Sequence, residues 1–427
     1  MNSPSGSPSD SSSAVARPAP RSALTRRSVL GLAAAGLAAT LLSAPAPAQA
    51  RPMGIEAKLP GPTGPHRIGT VSTRIVDTSR HDPWVKSVPY RELMISVWYP
   101  AAGRPGGTEH RLAPYMAPGA AARWNAMAPH GIPKDAIDFA AIRTHAREGA
   151  PADTSDGRRP VLLYASGAND PRTWGTSAVE ELASHGYVVV TIDHTYEAPG
   201  VQFPDGSVKD DAPLLKALEE AGQKDEVPAL LKKVLDVRVA DSKFVLDRLG
   251  SLPNGLSKVV DRKRVGMFGQ SAGGIAAAET MYEDSRVKAG MNMDGTLENN
   301  PEPKGTNLTP VAQHGLTRPF LLMGREGNDR TTEPSWREFW SHTTGWKRNL
   351  TLRGSVHQTY TDLAALLPQA GVDGKVIKEH IGTVEPDRAV AAERAYATSF
   401  FDRWLRGRND HLLDGPSGRY PEVEFAG

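Results

Sequence analysis

Gly269-Gln270-Ser271-Ala272-Gly273, with Gly274 behind it, is the stretch of this 427-residue chain whose residue types and spacing could do chemistry. A serine with glycine two positions away on either side suits a sharp turn that lifts the hydroxyl above a sheet edge. Larger side chains at those two positions would collide with the turn. The run before it, 264–268 (RVGMF), reads as a strand, and 276–282 after it as a helix. The unpaired N–H groups of that helix's first turn then face any negative charge that develops beside the hydroxyl. The chemistry such a turn supports is attack by Ser271 on a carbonyl carbon, through an acyl-enzyme.

A serine hydroxyl is a weak nucleophile until a base takes its proton, and the base needs an acid to orient it. On a strand–turn–helix scaffold of this kind the chain order is serine, acid, histidine, with the histidine in a loop after the last strand. Of twelve histidines, His314, His342, His357, His380 and His411 follow Ser271. His357, in Arg353-Gly354-Ser355-Val356-His357-Gln358, comes directly after an expected strand at 348–352. His314 precedes a strand, His342 lies in a Trp-rich helical stretch, and His380 and His411 sit in polar sequence that reads as surface. For the acid, Asp294 ends the run 289–293 and precedes Gly295, while Glu326 and Asp329 follow the next strand. The pattern leaves these open, with Asp294 ahead.

The elements that must position these residues alternate along the chain. Strands are expected at 69–77, 92–99, 160–165, 187–192, 264–268, 287–293, 320–323 and 348–352, and helices at 177–185, 227–249, 276–282 and 389–405. Short continuous apolar runs such as PVLLYA (160–165) and YVVVTI (187–192) fit strands buried on both faces, so a mostly parallel sheet flanked by helices is expected. Two stretches, 101–158 and 194–226, interrupt this rhythm and read as insertions that could cover a site, the first with a helix at 134–147.

Composition narrows the function classes. Lys and Arg total 50 against 48 Asp and Glu, but residues 1–50 hold Arg17, Arg21, Arg26 and Arg27 against Asp10 alone. The remaining body, with 46 basic and 47 acidic side chains, is close to neutral. It lacks the basic face that a nucleic-acid partner requires. The basic segment reads as an export signal: Thr25-Arg26-Arg27-Ser28-Val29-Leu30, an apolar stretch over 28–43, and a small-x-small site at Ala48-Gln49-Ala50. The paired arginines resemble a twin-arginine signal. Residues 1–50 are therefore expected to be removed, leaving 51–427 as one exported catalytic domain without a stable membrane anchor. With no cysteine, there is no thiol nucleophile, Cys-based zinc site or lipid attachment. No HExxH, EF-hand or phosphate-binding glycine loop is present, and no cofactor or metal is expected.

Several segments together resemble the secreted, calcium-independent platelet-activating-factor acetylhydrolases. They are GQSAGG (269–274), AGMNMDG (289–295), LRGSVHQ (352–358) and ELASHGYVVVTIDH (181–194), within a likeness over roughly 90–405. GxSxG is widespread; an acid 23 residues after the serine together with R-G-S-V-H-Q is far more specific. The resemblance implies an α/β-hydrolase fold with Ser271 as nucleophile, Asp294 as acid and His357 as base. It also implies an oxyanion hole from the backbone N–H groups of Ala272 and Ala168, and hydrolysis of short acyl esters such as the sn-2 acetyl group of a phospholipid. The chain departs from the family at the first oxyanion loop, Ser166-Gly167-Ala168-Asn169 in place of H-G, and at Ala272, where a larger residue is common. A general carboxylesterase, lipase or polyester hydrolase would use the same three residues. A peptidase has no docking domain to support it, and a non-catalytic binding module would not need the set.

Overall fold

A computed structural model describes residues 57–103, 110–127, 132–134, 136–299 and 303–426. The proposed signal segment lies outside the described residues.

Eleven strands make one sheet. In chain order they begin with β1 (Ile68–Asp77), β2 (Arg91–Pro100), β3 (Leu112–Pro114), β4 (Arg143–Glu148), β5 (Arg159–Ala165) and β6 (Val188–Asp193). A separate two-stranded hairpin, β7 (Val201–Gln202) and β8 (Val208–Lys209), follows. The sheet resumes with β9 (Val260–Gln270), β10 (Val287–Met293), β11 (Phe320–Arg325), β12 (Lys347–Leu352) and β13 (Val423–Phe425). Their spatial order is β13-β12-β11-β10-β9-β5-β6-β2-β1-β4-β3. Strands β6, β5, β9, β10, β11 and β12 run parallel, and β2 and β13 join antiparallel at either side. The sheet is thus mostly parallel, as expected.

Alternation of side chains sorts each central strand between two cores. In β5, Val161, Leu163 and Ala165 belong to one apolar cluster, and Leu162 and Tyr164 to the opposite one. The first face is covered by α4 (Val227–Arg248), α5 (Ala272–Glu283) and α7 (Pro334–His342), the second by α2 (Thr176–Ser184) and α10 (Pro386–Arg406). With both faces covered, every side chain of β5 and β6 is buried, and burying each large aliphatic one contributes about 1.5–3 kcal/mol.

The first insertion departs from expectation. Among the described residues of 134–147 no helix forms; Arg143–Glu148 is instead the strand β4, parallel to β1 and antiparallel to β3 at the sheet's far edge. The insertion also carries α1 (Pro118–Ala126), whose Trp124 packs with Phe139 and Trp174 in a third apolar cluster. That cluster extends to α8 (Leu363–Leu366) and Ile381 of α9 (Gly374–Ile381), the segments following His357. The second insertion holds the hairpin and α3 (Ala212–Gln223) and meets the first: Gly119 N–H donates to Gln202, and Arg123 pairs with Asp210 at 2.8 Å. The short α6 (Pro310–His314) lies between β10 and β11.

Candidate active site

The chain runs from β5 to β6 on one side of the sheet and then crosses back to β9 on the other, so β5 and β9 are neighbours whose following segments diverge. A crevice at the carboxyl ends of strands is expected at such a reversal. Ala165 at the end of β5 lies opposite Gly269 near the end of β9, which brings the loop 166–170 against the turn at Ser271.

Ser271 links β9 to α5 with φ 55° and ψ −123°, a backbone state that costs a non-glycine residue energy and persists only where its surroundings hold it. Its N–H donates to Met293 O at 2.8 Å, and its carbonyl accepts from Gly274 and Ile275 at 2.9 and 3.1 Å. A Cβ on Gly273 would run into the Ala165 carbonyl, and one on Gly269 into that carbonyl and the Gly273 backbone. The two glycines therefore permit the close approach of β5 to the turn. As the first residue of α5, Ala272 has an N–H with no intrahelical partner. Neither it nor the N–H of Ala168, an exposed residue, makes a hydrogen bond among the described residues.

Asp294 follows β10 with φ 54°, its N–H tied to Met323 O at 2.9 Å. Its carboxylate is fully buried and meets His357 Nδ1 through Oδ2 at 2.6 Å; the imidazole is 38% exposed. Four donors surround the two oxygens. Oδ2 also accepts from Arg325 Nη1 at 2.7 Å, and Oδ1 from Asn328 Nδ2 at 2.6 Å and Arg325 N–H at 3.2 Å. Burial pushes this carboxyl up, but the His357 hydrogen bond and charge, with Arg325 and Asn328, outweigh it and hold it below the usual range.

Donation from Nδ1 to Asp294 leaves Nε2 with its lone pair outward, as a base requires. That lone pair meets the Gln270 side-chain amide, Nε2 to Nε2, at 3.1 Å, and the same amide reaches the His357 carbonyl at 3.3 Å. The Ser271 hydroxyl makes no hydrogen bond among the described residues. The structure thus joins Asp294 to His357 and sets Ser271 one residue from the amide that occupies the base. Catalytic hydrogen bonds are often loose before substrate binds.

The other candidates lie elsewhere. Glu326 is exposed, and Asp329 accepts hydrogen bonds from Thr331 and Thr332 in its own turn. His314 and His411 are exposed. His380, expected at the surface, is instead buried, with Nδ1 against Val376 O at 2.8 Å, because α9 folds onto the third apolar cluster. Sequence reasoning passes over Gln270, Arg325 and Asn328. The last residue of β11, Arg325, and Asn328 in the loop that follows, a candidate source of the acid, both brace Asp294.

A family model described as platelet-activating factor acetylhydrolase, isoform II, matches residues 222–412. A probable 1-alkyl-2-acetylglycerophosphocholine esterase of Arthroderma benhamiae is 29% identical, over 86% of this chain and 93% of that protein. The platelet-activating factor acetylhydrolase of Gallus gallus is 22% identical, over 60% of this chain and 65% of its own length. Among solved structures, a ferulic acid esterase from Streptomyces cinnamoneus superimposes with a TM-score of 0.71 at 36% identity, over 87% of this chain and all of that one.

Proposed function

Because this chain belongs to the isoform II family of platelet-activating factor acetylhydrolases, on an α/β-hydrolase fold, and is a carboxylic ester hydrolase, we propose that it is a secreted serine esterase acting on short acyl esters through Ser271, His357 and Asp294. The observation that carries this reading is the 2.6 Å contact between His357 Nδ1 and the buried Asp294, beside a strained serine turn.

In the proposed cycle the Ser271 hydroxyl displaces the Gln270 amide from His357 Nε2. Ser271 Oγ bonds to the ester carbonyl carbon as its proton passes to Nε2. Asp294 steadies the imidazolium so formed. The carbonyl oxygen, now negative, is met by the N–H groups of Ala272 and Ala168, each worth about 3 kcal/mol when well aimed. Collapse breaks the bond to the alcohol oxygen, which takes the proton from Nε2. Water then repeats the sequence on the acyl-enzyme and releases the acid.

Two substrate readings have support. The family and the Arthroderma relative favour the sn-2 acetyl group of an ether phospholipid such as platelet-activating factor. The higher identity to a ferulic acid esterase favours a broader carboxylesterase that takes aryl esters. A fluorophosphonate should label wild type at Ser271 and leave Ser271→Ala unlabelled and inactive. Labelling elsewhere, or activity in that variant, overturns the mechanism. Comparing kcat/KM for 1-alkyl-2-acetylglycerophosphocholine and methyl ferulate, with EDTA present, then decides the substrate. The phospholipid reading expects preference for the acetyl ester and no effect of chelation.

A further inference from the structure

Arg238 lies within α4 and is almost wholly buried, yet its guanidinium does not point at the sheet core. Nη1 donates to Ser166 O at 2.6 Å and Nη2 to Gly167 O at 3.1 Å, two successive carbonyls of the loop after β5. Nε donates to Glu197 at 2.7 Å, in the loop after β6, and both partners of this pair are 2% exposed. One side chain therefore ties α4 to both loops at the carboxyl edge of the sheet.

The covalent geometry of the loop gives this tie a consequence. In a trans peptide the carbonyl and the next N–H point in opposite directions. Drawing the Ser166 and Gly167 carbonyls onto the guanidinium turns the N–H groups of Gly167 and Ala168 away from it. A cation on a carbonyl oxygen also polarises the peptide and makes its N–H a stronger donor. Within the loop itself Ser166 Oγ donates to Asp170 O at 2.8 Å, the Asp170 N–H reaches Gly167 O at a long 3.3 Å, and Asn169 takes φ 64°. We propose that Arg238, anchored by Glu197, is a positioning residue that aims and polarises the Ala168 N–H toward the oxyanion of the reaction. This rests on the serine-esterase reading above. A buried ion pair needs a reason to exist, since apolar residues of similar volume are often as stable. Holding two carbonyls in register supplies one.

The test compares wild type with Arg238→Lys, Arg238→Met and the double variant Arg238→Met/Glu197→Gln, which removes both charges and leaves no carboxylate unpaired. Folding is checked by thermal melts. On an acetyl ester, kcat should fall about a hundredfold in the double variant, as for loss of one oxyanion donor, with KM within about threefold. Arg238→Lys, which keeps a cation but reaches fewer carbonyls, should fall between. The Ki of a trifluoromethyl ketone, which forms a tetrahedral oxyanion on the serine, should weaken in step with kcat/KM, while that of the product alcohol stays unchanged. A purely structural role predicts a lower melting temperature with normal kcat for the folded fraction. A folded double variant, or folded Arg238→Lys should the double variant not fold, with wild-type kcat and wild-type ketone affinity overturns the proposal. Failure of wild type to be labelled at Ser271 overturns the esterase mechanism itself and the clamp with it, so the two failures are told apart.

Discussion

At Asp294 each carboxylate oxygen accepts from two donors, so the site is built for a group with no proton of its own. Asp294→Asn tests this because either amide orientation is costly. An amide NH2 facing His357 confronts Nδ1–H and the Arg325 guanidinium, and drives the imidazole to the tautomer that cannot accept the serine proton. An amide oxygen facing His357 keeps the tautomer, but leaves Arg325 uncompensated beside an imidazolium that must form. Turnover should fall on the order of 10⁴-fold, with the melting temperature measured alongside to show that the fold survives. Glu326→Gln should cost less than about tenfold, since an exposed carboxylate contributes little at a distance. The reverse pattern would place the acid after β11. Position along the chain singled out His357, because the loop after the last parallel strand has a fixed place in this scaffold, but left Asp294 open beside Glu326 and Asp329. Gln270, Arg325 and Asn328 were not readable, because polar side chains with no periodic pattern show their role only through partners: Asn328 reaches Asp294 across 34 residues and Gln270 reaches His357 across 87.

Among the elements, the central strands were legible because burial on both faces demands unbroken apolar runs, as in β5 and β6. Strand β4 was not. Its sequence Arg143-Thr144-His145-Ala146-Arg147-Glu148 does alternate, with Thr144 and Ala146 buried and their neighbours more exposed, but small and polar residues fill the inward positions. What holds it is remote: Glu180 of α2, a buried carboxylate, accepts from the N–H groups of His145 and Ala146 and from the His145 ring. Helix α10 carries a second buried acid with a measurable consequence. Burial pushes Glu393 up to about 8, with nearby Asp362 pushing the same way and Arg394 opposing it. Burial likewise lifts Asp362 to about 7, although it accepts from the N–H groups of Thr176 and Ser177 and from Tyr115. Both carboxyls hold protons in the folded chain that the unfolded chain releases at ordinary carboxylate values. Their contribution is therefore complete at acid pH and lost as pH rises through about 7 to 8. A tenfold difference in proton affinity between the folded and unfolded chain is worth about 1.4 kcal/mol, so the melting temperature should decline by several degrees between about pH 5 and pH 8 and level off above that. Glu393→Gln, which mimics the protonated acid, should flatten that decline; an unchanged slope would mean that Glu393 is already ionised in the fold.

Taken whole, the chain divides by charge into a basic N-terminal segment and a nearly neutral remainder, whose described residues are packed from their first members. Ala57 and Leu59 are buried, and the carbonyls of Pro60 and Gly61 accept from Arg394 of α10, more than 330 residues later. Residues 60 and 61 are thus tied to α10, a helix near the other end of the chain. Contacts of such long sequence separation form slowly, after loop closure has been overcome. A body of this kind would suit export after folding, the route that the proposed twin-arginine signal at Arg26-Arg27 would use. Replacing both arginines by lysine keeps the leader's charge and its apolar stretch, so an ordinary secretory signal would continue to work. On the twin-arginine reading the variant should instead accumulate inside the cell as uncleaved, folded and fluorophosphonate-reactive enzyme, with esterase activity lost from the medium. Activity in the medium at wild-type level would leave an export signal in place but exclude this route. A variant that is retained and unreactive would place the defect in folding, and the Arg394→Ala variant, which frees residues 60–61, would then be expected to share it.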